Sequence, residues 1–236
     1  MRNIENFNKF NLILEGAPRL PKSEDYWLKK GKIGKKVALY IHDDMDGMFS
    51  GIEMKKYLLN AGFIIEKYGI LNYTEGWKYT TLDPKLINIV LDFASMPGDE
   101  RDEMIDYYLD HHGLFSTEDL EKYKKSPVQK KKTDSAYEAI CQALGVPQDS
   151  LTLDVIDMID AAKYQDYEVD WQRLLDFNLS DIKKSSNIRL EFGAAFNQFI
   201  KRSDSKTIIS VIENCPDASI YSIFNVMKKV YPEHNV

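Results

Sequence analysis

The chain has 236 residues, of which 44% are hydrophobic and 29% charged, and its formal net charge is −6. This length suits one large domain, or one domain with a smaller appendage. The acidic balance argues against a protein that only coats nucleic acid, and two cysteines are too few for a disulfide framework or a zinc site. Without an apolar run near the roughly 18 residues of a membrane span, and without a signal-peptide block, we expect a cytoplasmic protein.

The first half of the chain alternates between short apolar runs and segments with helical spacing. VALYI (37–41) is wholly apolar and too short for a helix, which favours a buried strand. Residues 48–61 place apolar side chains at helical spacing, and Gly62 is in position to end that helix. This alternation predicts an α/β fold with a mainly parallel sheet and helices on both faces. Further strands are predicted at 63–70, 86–93 and 107–109, with an acidic helix start at 98–103.

The second half is predicted to be helical. A helix at 134–145 starts from an N-cap at Asp134 and ends at Gly145. Later helices, predicted at 150–167, 188–201 and 219–231, carry apolar and aromatic stripes at the spacing of core positions. We therefore predict three parts: an N-terminal extension (1–36), a main α/β domain (37–170) and a small helical C-terminal segment (171–236).

Acidic and imidazole side chains follow three of the four predicted strands. Because the carboxyl ends of parallel strands open on one crevice, we expect these side chains to meet there. Three of the four histidines in the chain belong to this set. Its members are His42, Asp44 and Asp46 after the first strand, Asp92 at the end of the third, and Asp110, His111 and His112 after the fourth.

The stretch HDDMDG (42–47) also fits an EF-hand calcium loop at every place except the first. A predicted strand rather than a helix precedes it, imidazole is a softer ligand than Ca²⁺ prefers, and no second such loop occurs. Mixed imidazole and carboxylate ligands suit Mn²⁺, with Mg²⁺ or Fe²⁺ as alternatives. Two such ions, bridged by Asp92, can activate water and stabilise both oxygens of an in-line phosphoryl displacement.

In these motifs the chain resembles the DHH phosphoesterase superfamily. The motif that names the family is DHH at 110–112, and HDDMDG at 42–47 is similar to the first motif of RecJ-type exonucleases and their nanoRNase relatives. LDF at 91–93 resembles the second motif. The resemblance covers about residues 37–170 and implies that this domain is a catalytic phosphoesterase domain.

The resemblance also implies a role for each motif residue. His112 would meet the scissile phosphate, and Asp110 would orient a histidine by accepting its ring N–H. The last ligand is an acid after a helix of small and apolar residues, which favours Asp166, with Asp160 in reserve. The implied ligands of two divalent cations, Mn²⁺ first and Mg²⁺ second, are His42 and Asp44 for one ion, Asp46, His111 and Asp166 for the other, and Asp92 as the bridge.

The chain departs from that family in its C-terminal part. Relatives carry a second, substrate-gripping domain marked by a glycine-rich run that ends in histidine, whereas residues 171–236 contain one glycine, Gly193, and no such run. Either the chain is a minimal enzyme, or the grip comes from the N-terminal extension, from lysine clusters or from another subunit, including a second copy of the chain. Clusters at 28–36 and 122–132 suit either phosphate contacts or solvated loops, and we take Lys130, Lys131 and Lys132 as substrate-binding.

Three functions are compatible with these residues. The first is a Mn²⁺-dependent phosphodiesterase acting on single-stranded nucleic acid or short oligonucleotides. The loop at 71–81 supports it, because Tyr73, Trp77 and Tyr79 can stack on bases; we take Trp77 as substrate-binding, with packing against the sheet edge as the alternative for the loop. The second is a cyclic dinucleotide or small nucleotide phosphoesterase with an enclosed pocket. The third is a non-catalytic subunit that keeps the metal fold, against which the complete ligand set argues.

Overall fold

The structure is a computed structural model that describes residues 20–74, 76–93, 99–111, 128–130, 133–160 and 176–230. A 3₁₀ helix spans Glu100–Met104. The strands are β1 (Lys36–His42), β2 (Ile64–Leu71), β3 (Ile87–Leu91), β4 (Tyr107–Asp110) and β5 (Val128–Lys130). The helices are α1 (Glu24–Lys29), α2 (Met45–Asn60), α3 (Ala136–Leu144), α4 (Ser150–Asp160), α5 (Leu179–Lys184), α6 (Ser186–Arg202), α7 (Ser205–Asn214) and α8 (Ile220–Val230).

The five strands form one sheet in the order β2-β1-β3-β4-β5, and each neighbouring pair is parallel. The predicted α/β class with a parallel sheet is thereby confirmed. Strands β1, β3 and β4 are neighbours at the centre of the sheet, so the residues that follow them lie side by side along its carboxyl edge.

The sheet separates two apolar cores, because successive side chains of a strand point to opposite faces. In β1, Val37, Leu39 and Ile41 face the larger core, and Ala38 and Tyr40 face the smaller one. The larger core also holds buried side chains of α2, α3, α4 and α6–α8, so the C-terminal helices pack in the same core as the sheet. The smaller core is closed by the loop after β2 and by the segment that leads through the 3₁₀ helix into β4.

Capping residues determine where α2 and α3 begin. Helix α2 starts earlier than predicted, because the Asp44 side chain accepts the N–H of Gly47 and caps it. The predicted cap of α3 is wrong by one residue: Ser135, not Asp134, is the N-cap, and its hydroxyl accepts the N–H of Glu138. Gly62 and Gly145 follow α2 and α3 with φ of 76° and 68°, as a glycine after a helix requires.

The C-terminal helices bury the stripes that the sequence predicts as core. Phe192 and Phe196 of α6 are buried, and so are Ile220, Ile223 and Phe224 of α8. Within the part of the chain that the structure describes, none of the helices combines the length and the apolar character that a membrane crossing requires.

Candidate metal centre

The motif residues meet at the carboxyl edge of the sheet, around the ends of β1, β3 and β4. His42 ends β1 and Asp110 ends β4. Asp44 caps α2 and Asp46 lies in its first turn, while Asp92 directly follows β3. Parallel strands and one helix start therefore bring these acids and imidazoles to one place, as the strand-end argument predicts.

One group of candidate ligands joins β1, the α2 cap and β3. The Nδ1 atom of His42 lies 2.7 Å from Oδ2 of Asp44 and 3.6 Å from Oδ2 of Asp92. His42, Asp44 and Asp92 offer ligand atoms within 4.8 Å of one another. Gly47 permits this approach, because a Cβ at that position would lie 2.9 Å from the Cβ of His42.

A second group joins the first turn of α2, β3 and the residue after β4. The Nε2 atom of His111 lies 3.6 Å from Oδ2 of Asp46 and 3.7 Å from Oδ1 of Asp92. These three residues also offer ligand atoms within 4.8 Å of one another. The two groups share Asp92, whose two carboxylate oxygens face different histidines.

Asp92 has a backbone conformation that is rare for a residue other than glycine. Its φ is 54°, in the left-handed region, which costs free energy and is found mostly at functional sites. Its N–H donates to the Leu109 carbonyl at 2.8 Å, which fixes it beside β4. The side chain is completely buried, so the chain holds a carboxylate at the centre of the site at an energetic cost.

The later acid predicted from the sequence has one described candidate. Oδ2 of Asp160, the last residue of α4, lies 3.3 Å from Nε2 of His111. Asp166, which the sequence favours, lies outside the described residues, as do His112, Lys131 and Lys132. Lys130 is described through its backbone in β5, and nothing follows for its side chain.

The carboxylates of the site lie so close together that ionising all of them at once costs free energy. Burial raises the pKa of Asp92 well above its usual value, and the charges of Asp46 and Asp44 raise it further. Burial and the charge of Asp44 raise the pKa of Asp46 to about 7. Burial would also raise the pKa of Asp44, but His42 beside it lowers that pKa overall. A cluster of this kind favours any cation that can enter it.

The two histidines respond to the same crowding. Burial would lower the pKa of His111, but the hydrogen bond to Asp160 and the charge of Asp46 raise it to about 9. Burial would lower the pKa of His42, but the charge and hydrogen bond of Asp44 raise that pKa overall. The charge of Lys201 has a smaller, lowering effect on it. Since a histidine ligand must be neutral, a bound metal ion would displace these protons.

The donor set fits hard or borderline divalent cations. The two groups contain carboxylate oxygens and imidazole nitrogens, and no cysteine belongs to either. Oxygen-rich sites with imidazole suit Mn²⁺ or Fe²⁺, and carboxylates alone suit Mg²⁺. The residues therefore fit the predicted pair of divalent cations, and the role of each residue as a ligand stays a prediction.

Helix α6 reaches the site through two residues that the sequence analysis missed. The Asn197 side chain is buried, and its Oδ1 accepts the N–H of Met45 at 2.9 Å, at the start of α2. Lys201 is four residues further along the same helix face and is close enough for its charge to act on His42. The only sequence signal is the i, i+4 spacing on α6, which does not indicate a partner 152 residues away.

The loop after β2 does not present Trp77 to a substrate. Trp77 is 5% exposed, its Nε1 donates to Oδ2 of Asp99 at 2.8 Å, and the Arg101 guanidinium lies over its ring at 4.1 Å. A base cannot stack on a ring covered in this way. The packing alternative therefore holds for Trp77, and the stacking role predicted for it is wrong. Tyr73 and Tyr79 of the same loop are exposed.

Comparison with known proteins gives matches among solved structures alone. No family model and no curated protein matches the chain. The crystal structure of exonuclease RecJ bound to manganese is similar, with 13% identity over 94% of this chain and 64% of that one, and a TM-score of 0.50. RecJ in complex with Mn²⁺ from Thermus thermophilus aligns at 11% identity over 92% of this chain and 38% of that one, with a TM-score of 0.38.

The first of these matches bears on the fold. The chain spans less than two thirds of the length of either RecJ chain. At 13% identity, the first match shows a shared fold. The parallel α/β fold predicted from the sequence is therefore shared with a RecJ exonuclease. The activity is a separate question.

Proposed function

We propose that this protein is a metal-dependent phosphodiesterase that hydrolyses single-stranded nucleic acid or short oligonucleotides, with Mn²⁺ as the preferred ion and Mg²⁺ as the alternative. The observation that carries the proposal is the pair of ligand groups that share Asp92 at the carboxyl edge of the sheet. Two-metal sites with a bridging carboxylate suit in-line phosphoryl displacement by water. The shared fold with an exonuclease bound to manganese adds support.

We assign the ligands as two sets around Asp92. Asp160 takes the place predicted for Asp166, because its carboxylate is 3.3 Å from Nε2 of His111 and so lies with the second group. When bound, the two cations supply an activated water and neutralise charge on the phosphoryl oxygens. The sets are His42 and Asp44 on one side, Asp46, His111 and Asp160 on the other, and Asp92 between them.

The surrounding chain holds these ligands in place. Asp46 accepts the N–H groups of Ala136 and Tyr137 at 2.6 and 2.7 Å, so its carboxylate is fixed at the start of α3. Asp110 is completely buried and accepts the Tyr108 hydroxyl at 3.3 Å. We propose that Asp110 orients a neighbouring histidine through its ring N–H, which fixes the tautomer.

Groups that meet the substrate complete the proposal. His112 contacts the scissile phosphate and moves a proton there or polarises it. Lys130, Lys131 and Lys132 contact the anionic backbone. Lys201 adds a positive charge from α6, since its charge already acts on His42.

The test is hydrolysis of labelled single strands and dinucleotides by purified protein, with Mn²⁺ and with chelator. We expect nucleotide release that requires the metal and that falls to the chelated level in Asp160→Asn. The matched control is Asp154→Asn, an exposed aspartate on the same helix, which keeps activity. Release of no nucleotide from either substrate with Mn²⁺ refutes the proposal.

The same assay separates related substrates. Strands blocked at the 5′ or the 3′ end give the direction of digestion. Cyclic dinucleotides and nucleoside bisphosphates belong in the panel, since turnover of these alone would assign the protein to the small-nucleotide class.

A further inference from the structure

Tyr73 places an exposed aromatic ring beside the metal centre. It comes shortly after β2, which pairs with β1, so the two strands end next to each other. The Tyr73 ring centroid lies 5.2 Å from that of His42, at an interplanar angle of 69°. Tyr73 is 48% exposed, whereas His42 is 7% exposed. An aromatic surface that is open to solvent thus adjoins a buried candidate ligand.

Two buried aromatic rings, Phe93 and Trp77, lie behind the Tyr73 ring. This ring is stacked on Phe93 at 4.5 Å and 21°, and Phe93 in turn contacts Trp77 at 5.4 Å. Phe93 is buried and follows Asp92 directly. Phe93 thus supports the Tyr73 ring on one side, while about half of the Tyr73 residue stays exposed to solvent. The ring is therefore held in position before any ligand arrives, which lowers the entropic cost of stacking on it.

We propose that Tyr73 is the stacking platform for the base of the nucleotide whose phosphodiester lies at the metal centre. This inference rests on the proposed function and names the residue by which that site would recognise a nucleobase next to the scissile bond. Stacking on an aromatic side chain is tolerant of base identity, because every base has a π-face. The platform therefore selects nucleotides over simple phosphodiesters without selecting one base.

The other aromatic residues of the loop fit this role less well. Trp77 is covered by Arg101 and lies under Phe93. Tyr79 is 68% exposed, but its described ring contact is with Nζ of Lys78, at 5.3 Å, and not with the metal centre. Tyr73 alone among the described residues of the loop combines an exposed ring with a contact to His42.

The test compares variants of Tyr73 on matched substrates in the presence of Mn²⁺. The substrates are a dinucleotide and two analogues, each lacking the base at one residue. We expect Tyr73→Ala to raise KM for the dinucleotide about tenfold, with kcat changed little, because stacking contributes to binding. For the analogue that lacks the stacked base, Tyr73→Ala and wild type have equal KM. Tyr73→Phe keeps the ring and the wild-type KM, and Tyr79→Ala is the matched control with no change.

Binding measurements test the role of Tyr73 independently of the rate of hydrolysis. Calorimetry with a non-hydrolysable dinucleotide and Mn²⁺ is expected to show weaker dinucleotide binding in Tyr73→Ala than in wild type, Tyr73→Phe and Tyr79→Ala. The affinity for Mn²⁺ in the absence of dinucleotide should be the same in Tyr73→Ala and wild type. Equal dinucleotide affinity in Tyr73→Ala and wild type overturns the inference, as does an equal loss on all three substrates. Either result would leave the proposed function intact as long as the wild-type protein hydrolyses the dinucleotide. If the wild-type protein hydrolyses no phosphodiester, the proposed function is refuted, whatever Tyr73 does in the binding measurements.

Discussion

Helix α2 carries a buried charge near each of its ends, and the two charges are compensated in different ways. Lys55 donates to three carbonyl oxygens at the C-terminal end of α7, at 2.7–3.1 Å. Asp46 accepts two N–H groups at the N-terminal end of α3, at 2.6 and 2.7 Å. Each charge lies at the helix end whose dipole favours it, so both residues also cap a neighbouring helix.

The difference lies in what else surrounds each charge. Burial lowers the pKa of Lys55, but its partners are carbonyl oxygens that fully suit an ammonium group. Asp46 lies among Asp44, Asp92 and Asp160, and burial and the charge of Asp44 raise its pKa to about 7. When the chain itself supplies the partners of a buried charge, removing that charge alone destabilises the fold, because its partners are left unpaired. A buried cluster of like charges instead indicates a site for a cation from solution.

Asp92→Asn is expected to have the largest effect, because it acts on the crowded cluster of carboxylates at the metal centre. Asparagine has nearly the same shape and no charge, so the like-charge repulsion falls. We expect hydrolysis to drop by at least about 100-fold, while the unfolding temperature of the metal-free protein rises. Added Mn²⁺ then no longer raises that temperature. Thermal unfolding in chelator and in Mn²⁺, with activity on the same samples, checks this; a variant that is less stable without metal and is still stabilised by Mn²⁺ contradicts it.

Lys55→Met acts on the compensated charge and should affect stability alone. It leaves three carbonyl oxygens at the end of α7 without their donor, and we expect a loss of about 2–4 kcal/mol in the free energy of unfolding. Mn²⁺ affinity and KM should stay at wild-type values. Lys184→Met is the matched control: Lys184 is 74% exposed and 3.6 Å from the half-exposed Asp181, and its loss should cost under about 0.5 kcal/mol. Equal losses in the two variants would argue against the structural role of Lys55.

A smaller effect is expected in the pH dependence of the chelated protein. Asp46 keeps its proton to a pKa of about 7 in the folded state, whereas an unfolded aspartate loses it near about 3.9. Folded protein then binds more protons in that window, so the free energy of unfolding falls as pH rises from about 4 to about 7. His111, with its pKa raised to about 9, loses its stabilising charge as pH rises through that value, which has the same sign.

Unfolding temperatures at several pH values check this prediction. In chelator we expect them to fall steadily from about pH 5 to about pH 9. In Mn²⁺ the decline should be weaker, because the ions take the place of the protons. Stability of the chelated protein that increases with pH across this window would contradict the account.

Much of the site could be predicted because its signals are local. The apolar run of β1 and the acids directly after it lie within a few residues, and the carboxyl ends of parallel strands meet by geometry alone. The contact of Asn197 with Met45 could not be predicted, because it joins residues 152 positions apart. Trp77 and Tyr73 lie in one loop, where no periodicity tells a buried ring from an exposed one. The sequence also left Asp160 and Asp166 as alternatives, because neither periodicity nor spacing indicates which acid approaches His111.

Anomalous diffraction from crystals grown in Mn²⁺ tests most directly whether Asp92 joins two cation sites. We expect two manganese peaks on opposite sides of the Asp92 carboxylate, one beside His42 and Asp44 and the other beside Asp46 and His111. No peak at the carboxyl edge of the sheet, or a single peak that Asp92 does not contact, would contradict this expectation.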